Sequence, residues 1–294
     1  MSGILKKTII ILTSLFFISW LIATIISSFS QTSNYGNVAL IPIKGMITSD
    51  GENIFSTATT SASSIVEKLD QIKKDKAINA VIFEINSPGG GPVASEEIAK
   101  AIEELNKTTV AWVREVAASG AYWVAAGTDK IFASRISILG SVGVLSSNLG
   151  FSEFLEEHNV SYNRLVAGEY KDLASPLKKM SEEEKNLLQE KIDLIHEYFL
   201  NEIIRLRNID EILRKEIGSA MIYTGMESLE LGLIDEIGTK KDVVEYLEEE
   251  LNTTITIKSY EDKKSFLELL SGLFSSREFQ IKSFLNEKNN VIST

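Results

Sequence analysis

From position 8 to position 29 the chain reads TIIILTSLFFISWLIATIISSF, 22 consecutive residues without a charge. A surface helix of a water-soluble domain keeps one polar face, and this run has none. As a helix it would extend about 33 Å, enough to cross a hydrocarbon layer of about 30 Å. A cleaved secretory signal has a shorter apolar stretch, about 7–15 residues, ending in a small-x-small site. No clean site of that kind follows here, so an uncleaved anchor is expected. Lys6 and Lys7 precede the run and uncharged residues 31–38 follow it, which leaves a short cytoplasmic tail and puts the remainder outside the cell membrane. The expected organisation is a tail and anchor at 1–29, a small polar linker at 30–37, a folded domain at 38–260 and a helical, then polar, tail at 261–294.

Within the folded part, short apolar runs alternate with helical patterns. Residues 38–43 and 80–85 are short apolar runs, the pattern of buried strands, and 110–113 and 130–133 are read as strands too. Between them, residues 61–74 place Ile65, Leu69 and Ile72 on one helical face. Residues 93–105 do the same with Val93, Ile98, Ala101, Ile102 and Leu105. Strands separated by helices of ten or more residues predict βαβ units and a mostly parallel sheet, an α/β fold. An extended stretch is predicted at 136–145 and strands at 162–166 and 253–259. Ser181-Glu182-Glu183-Glu184 is a capping box that opens a long helix running to about Arg207, with glutamates in its first turn and arginines at its end.

Charge and composition remove several function classes. The net charge is −11, from 30 basic and 41 acidic residues, and no basic patch is visible to neutralise a phosphate backbone, so nucleic acid is not an expected partner. There is no cysteine, which excludes disulfides, thiolate metal sites and a cysteine nucleophile. With only His158 and His196, a histidine-rich metal site is excluded too; no metal or cofactor is expected.

Three stretches remain that carry chemistry. Val116-Ala117-Ala118-Ser119-Gly120-Ala121 follows an apolar strand and opens a helix. A serine there is either an ordinary N-cap or a nucleophile raised on a strand-to-helix turn among small neighbours. Asn86-Ser87-Pro88-Gly89-Gly90-Gly91 also joins a strand to a helix. It reads as a plain connection, as a loop that brings amide groups against an oxyanion, or as a phosphate loop, though it lacks the Gly-Lys-Ser/Thr ending. A serine nucleophile needs a base, and both histidines are poorly placed: His158 ends an exposed helix, and His196 lies within the long helix in a rim or packing role. The alternative base is a lysine made neutral by burial, since a solvated one is deprotonated only about 0.04% of the time at pH 7. Lys171, in Gly168-Glu169-Tyr170-Lys171-Asp172-Leu173-Ala174-Ser175-Pro176, is flanked by Gly, Tyr and Pro, whereas most lysines lie on polar helix faces. The plain reading is a solvated loop lysine paired with Asp172.

Taken together, these stretches resemble the signal peptide peptidase A family, membrane-anchored serine–lysine peptidases of the short bacterial type with a Clp/crotonase-like fold. Further matching pieces are Asp129-Lys130-Ile131-Phe132-Ala133, Gly140-Ser141-Val142-Gly143-Val144, Tyr223-Thr224-Gly225 and Leu231 onward to Gly238. The resemblance implies that Ser119 is the nucleophile and Lys171 its general base. It implies further that the Gly90 and Gly120 main-chain N–H groups form an oxyanion hole, and that Ser141 orients the lysine. It also implies peptide substrates such as signal-peptide remnants, and a homo-oligomeric ring in which Ser119 and Lys171 of adjacent protomers meet. Two departures stand out. Ala121 occupies a position where a second glycine is usual, and Ala220-Met221-Ile222 replaces a usual Gly-Arg-Val. Rival readings are a related membrane serine peptidase working with a stomatin-like partner, a crotonase-type acyl-thioester enzyme, and a non-catalytic membrane scaffold.

Overall fold

The computed structural model describes residues 3–29, 35–51 and 59–261. In chain order the elements are α1 (Gly3–Phe29), β1 (Val38–Lys44), β2 (Met46–Thr48), β3 (Thr59–Ser61), α2 (Ala62–Lys74), β4 (Ala80–Ser87), α3 (Pro92–Glu103) and β5 (Thr108–Ala118). There follow α4 (Gly120–Ala126), β6 (Lys130–Ala133), β7 (Ile138–Gly140), α5 (Ser152–Glu157), α6 (Glu182–Arg207) and α7 (Arg214–Ile217). The last are β8 (Ile222–Thr224), α8 (Gly225–Glu230), β9 (Glu236–Ile237), α9 (Lys240–Leu251) and β10 (Ile257–Ser259). The chain falls into two compact units, Met1–Ser259 and Tyr260–Thr294. Nearly all of the second, including the tail expected at 261–294, lies outside the described residues.

The main sheet runs β10-β1-β4-β5-β6-β9, every pair parallel, with β7 parallel to β5 and β8 antiparallel to β7. The α/β expectation, a mostly parallel sheet with flanking helices, is what the fold shows. Burial on both faces explains the apolar-rich runs: six of the eight residues of β4 in a row, Ala80 to Ile85, are buried, Glu84 among them. One face packs Val38, Leu40, Ile82 and Val110 against Val243 and Leu247 of α9. The opposite face is covered by α2, whose Ile65, Leu69 and Ile72 are buried, and by α3 with Ile98 and Ile102. Ser61 caps α2 by accepting from the Ser64 N–H, and Ser181 and Glu184 form the expected capping box of α6.

Two expectations need correction. Residues 162–166 are not a strand: they are exposed and join no strand ladder among the described residues, and an isolated extended run has no ladder to hold it. The strand expected at 253–259 is only its last three residues, because only Ile257–Ser259 lies in register with β1. At the other end of the chain, residues 3–29 form one unbroken helix. Among the described residues no helix is long and apolar enough to cross a membrane.

Candidate active site

Strand β5 runs through the centre of the sheet and ends at Ala118, and α4 begins at Gly120, so Ser119 alone makes the turn. Its backbone pays with φ 54° and ψ −128°, a conformation that non-glycine residues avoid. The turn is held from two sides. The Ser119 N–H donates to Gly140 O at 2.8 Å, and the Ser119 carbonyl accepts from Tyr122 and Trp123 N–H at 2.9 and 3.1 Å. Helix α4 is anchored by complete burial of its seven residues. The Tyr122 hydroxyl donates to Leu233 O at 2.7 Å, and burial raises its pKa above the ordinary tyrosine range.

The glycine loop after β4 lies directly against this turn. Ile47 of β2 bridges it, with Ile47 N–H donating to Gly89 O and Gly91 N–H donating to Ile47 O, both at 2.9 Å. A Cβ on Gly90 would sit 1.9 Å from Ile47 O, so no side chain fits there. A Cβ on Gly120 would sit 2.1 Å from the Oγ of Ser95, a fully buried residue of α3, and 3.5 Å from the Gly90 nitrogen. Gly90 is therefore required by its packing on Ile47 and Gly120 by its packing on Ser95, and the two lie side by side. None of the hydrogen bonds among the described residues uses the Gly90 or Gly120 N–H.

Ser119, Gly90, Gly120 and Ser141 line one cleft of about 340 Å³. Ser141 follows β7 with φ 52°, and its N–H donates to Met221 O at 2.8 Å. Sequence reasoning did not find the rest of the lining: Trp123, Val144, Leu145, Ile195, Phe199 and Ala220 among others. Trp123 stacks on Phe199 with ring centroids 4.7 Å apart, which gives the cleft an aromatic wall. Tyr198 meets Trp123 edge-on and donates its hydroxyl to Glu96 at 2.7 Å, tying α6 to α3 beside the cleft. Lys100 and that hydroxyl hold the Glu96 carboxyl below its usual range. The signal that marked α6 as a wall was available: Ile195 and Phe199 are four apart on one face of a helix, but nothing local says which cavity they face.

Lys171 stands apart. It is exposed in a turn whose one described main-chain bond at this residue is Lys171 N–H to Gly168 O, and it is not among the cleft residues. The structure thus gathers Ser119, Gly90, Gly120 and Ser141 and does not bring Lys171 of the same chain to them. Nor is Asp172 the partner of Lys171: its carboxylate is taken by Arg164 and Lys178. His196 Nε2 lies 3.1 Å from Val142 O, on the turn after Ser141, and His158 is exposed and stacked on Phe154. Among the described residues no group of three or more His, Cys, Asp and Glu side chains is placed to hold a metal ion.

A hydroxyl on a strained turn, two bare amides and an apolar wall suit attack on a carbonyl carbon. Comparison with known proteins agrees. The model of peptidase family S49 matches residues 101–254, which include Ser119. The chain is 36% identical over 221 residues to the Enterococcus faecium protein named "Putative signal peptide peptidase SppA", covering 74% of this chain and 64% of that one. It is 34% identical over 206 residues to "Putative protease MJ0651" of Methanocaldococcus jannaschii, 69% of this chain and 66% of the relative. It is 31% identical over 214 residues to "Putative protease slr0021" of Synechocystis, 72% and 73% of the two chains. The matches thus span just under two thirds of the first two relatives. On the family match and these identities together, the chain belongs to peptidase family S49.

Proposed function

We propose that the chain is a membrane-anchored serine endopeptidase that degrades signal-peptide remnants and other apolar peptides near the membrane. The observation that carries this is Ser119, on a strained strand-to-helix turn, sharing one cleft with the Gly90 and Gly120 amides in a member of family S49. Ser119 attacks the peptide carbonyl, and those two N–H groups receive the developing oxyanion. A neutral lysine takes the serine proton and passes it to the leaving amine; water then hydrolyses the ester by the same route. The stacked Trp123 and Phe199 support an apolar residue at the cleaved position.

Lys171 is the base, supplied by an adjacent protomer of a homo-oligomeric ring, with Ser141 orienting it. Its position outside its own cleft supports this, as does the arm that bears it. Between residues 145 and 177 Leu145, Leu149, Phe154 and Leu165 are 88, 74, 56 and 98% exposed, surface that another copy would cover. Burial between protomers also supplies the desolvation a lysine base requires. The anchor is α1: Ile10, Phe16, Phe17 and Trp20 are each more than half exposed, and the sequence from 8 to 29 has no charge. The peptidase domain is then 38–260, outside the cell membrane.

The test mixes two inactive proteins. Full-length Ser119→Ala and Lys171→Ala should each lack peptide cleavage, and Ser119→Ala should lose labelling by a phosphonylating serine probe. Co-assembled, the two should regain part of the activity, because some interfaces pair an intact serine with an intact lysine. Turnover by Lys171→Ala alone would remove the lysine from the mechanism, and silence of every mixture would remove the sharing.

A further inference from the structure

The turn that carries Lys171 has no hydrophobic core. Residues 168–171 are all exposed and none of residues 172–175 is buried. Its order comes from charge. Arg164 grips both oxygens of Asp172, Nε to Oδ2 at 2.5 Å and Nη2 to Oδ1 at 2.8 Å, the paired geometry in which guanidinium and carboxylate bind best. Lys178 Nζ donates to Asp172 Oδ1 at 3.0 Å and to Glu184 Oε1 at 2.5 Å. The other oxygen of Glu184 accepts from the Ser181 N–H at 2.9 Å, one half of the capping box of α6. One unbroken path of ion pairs and hydrogen bonds therefore runs from Arg164 through Asp172, Lys178 and Glu184 to the start of the long helix. It is shielded more than a typical surface pair, the Asp172, Lys178 and Glu184 side chains being 16, 20 and 10% exposed.

Resting on the assignment of Lys171 as the base, we propose that Asp172 is its positioning residue, clamped by Arg164 and Lys178 so that it fixes the turn without pairing with the adjacent amine. Two things follow from the clamp. The turn is tied to α6, whose Ile195 and Phe199 line the cleft, so the base is referenced to a rigid element. And the carboxylate next in sequence is already paired: Arg164 first, then Lys178, hold Asp172 far below the ordinary carboxylate range, so it remains charged and paired. A free Asp172 would instead stabilise the ammonium form of its neighbour, the wrong form for a base. The other charged and titratable groups of this cluster are Tyr162, Glu169, Tyr170 and Glu183; the Tyr170 hydroxyl is itself bound to Glu183 at 2.7 Å. Within the clamp two cations meet two anions, so removing Arg164 alone leaves uncompensated negative charge beside Lys171.

The test is the pH profile of kcat/KM for the full-length protein on an apolar peptide. Arg164→Met strips Asp172 of its two guanidinium contacts and leaves it only Lys178, and the acidic limb should move up by about one pH unit, with rate recovered at higher pH and KM unchanged. Arg164→Met/Asp172→Asn removes the released charge and should return the limb to its original position. Arg164→Lys, which keeps the charge but one contact, should fall between. A role confined to holding the fold predicts the reverse: the double variant no better than the single, and a loss equal at every pH. An unmoved limb in Arg164→Met, with Lys171→Ala inactive, would overturn the clamp and leave the base in place. Full turnover by Lys171→Ala would overturn both.

Discussion

The backbone at Ser119 gives a test of the site that needs no substrate. At φ 54° and ψ −128° the residue occupies a region that glycine enters freely and a Cβ resists. Strain of that kind costs about 1–3 kcal/mol. Ser119→Ala keeps the Cβ and so keeps the strain; Ser119→Gly removes it, at the expense of about 0.4–1 kcal/mol of extra unfolded-chain entropy. The difference makes the glycine variant more stable than the alanine variant by roughly 0.5–2 kcal/mol. At about 2–4 °C per kcal/mol for a domain of this size, the gap is roughly 1–8 °C in Tm. Both variants lack the hydroxyl, so lost hydrogen bonds and lost activity cancel in the comparison. The assay is thermal unfolding of the two side by side, at one protein and detergent concentration so that assembly contributes equally. An alanine variant as stable as the glycine variant, or more so, would show that the turn is relaxed in solution and would refute the argument that the fold holds this serine against its own preference.

Two further outcomes are expected. Gly120→Ala forces a methyl to within 2.1 Å of Ser95 Oγ, so it should lower stability by about 1–3 kcal/mol in denaturant unfolding and, by displacing the proposed oxyanion donor, cut kcat by about a hundredfold or more. Adding Ser95→Gly should restore most of the stability. Tyr122→Phe leaves the Leu233 carbonyl without its 2.7 Å donor in a fully buried site; unfolding free energy should fall by about 1–3 kcal/mol while kcat well below the melting temperature is unchanged.

What the residues disclosed depended on the range over which their information acts. Parallel strands buried on both faces announce themselves as apolar runs, and residues 130–133 coincide with β6 to the residue. The capping box at Ser181 was legible because its partner lies three positions away. Gly90 and Gly120 could be singled out by type, but the reason they must be glycine lies in Ile47 and Ser95, 43 and 25 positions distant, and no local pattern encodes those contacts. Ala220 and Leu145 reach the cleft for the same long-range reason. Residues 162–166 misled because a strand-like composition favours an extended backbone, whereas a strand also needs a neighbour, and none lies beside this run among the described residues. Lys171 and Asp172 are adjacent, and adjacency suggested a pair; the partners of Asp172 turned out to be eight and six residues away.

The stretch from Ser141 to Leu145 that walls the cleft passes into the exposed arm with no helix or strand between them until α5. Whatever seats the arm therefore also pulls on the wall. Under the proposed sharing, a copy adrift from its fellows would lack both a donated amine and a fixed groove, and one event, the seating of the arm, would supply both.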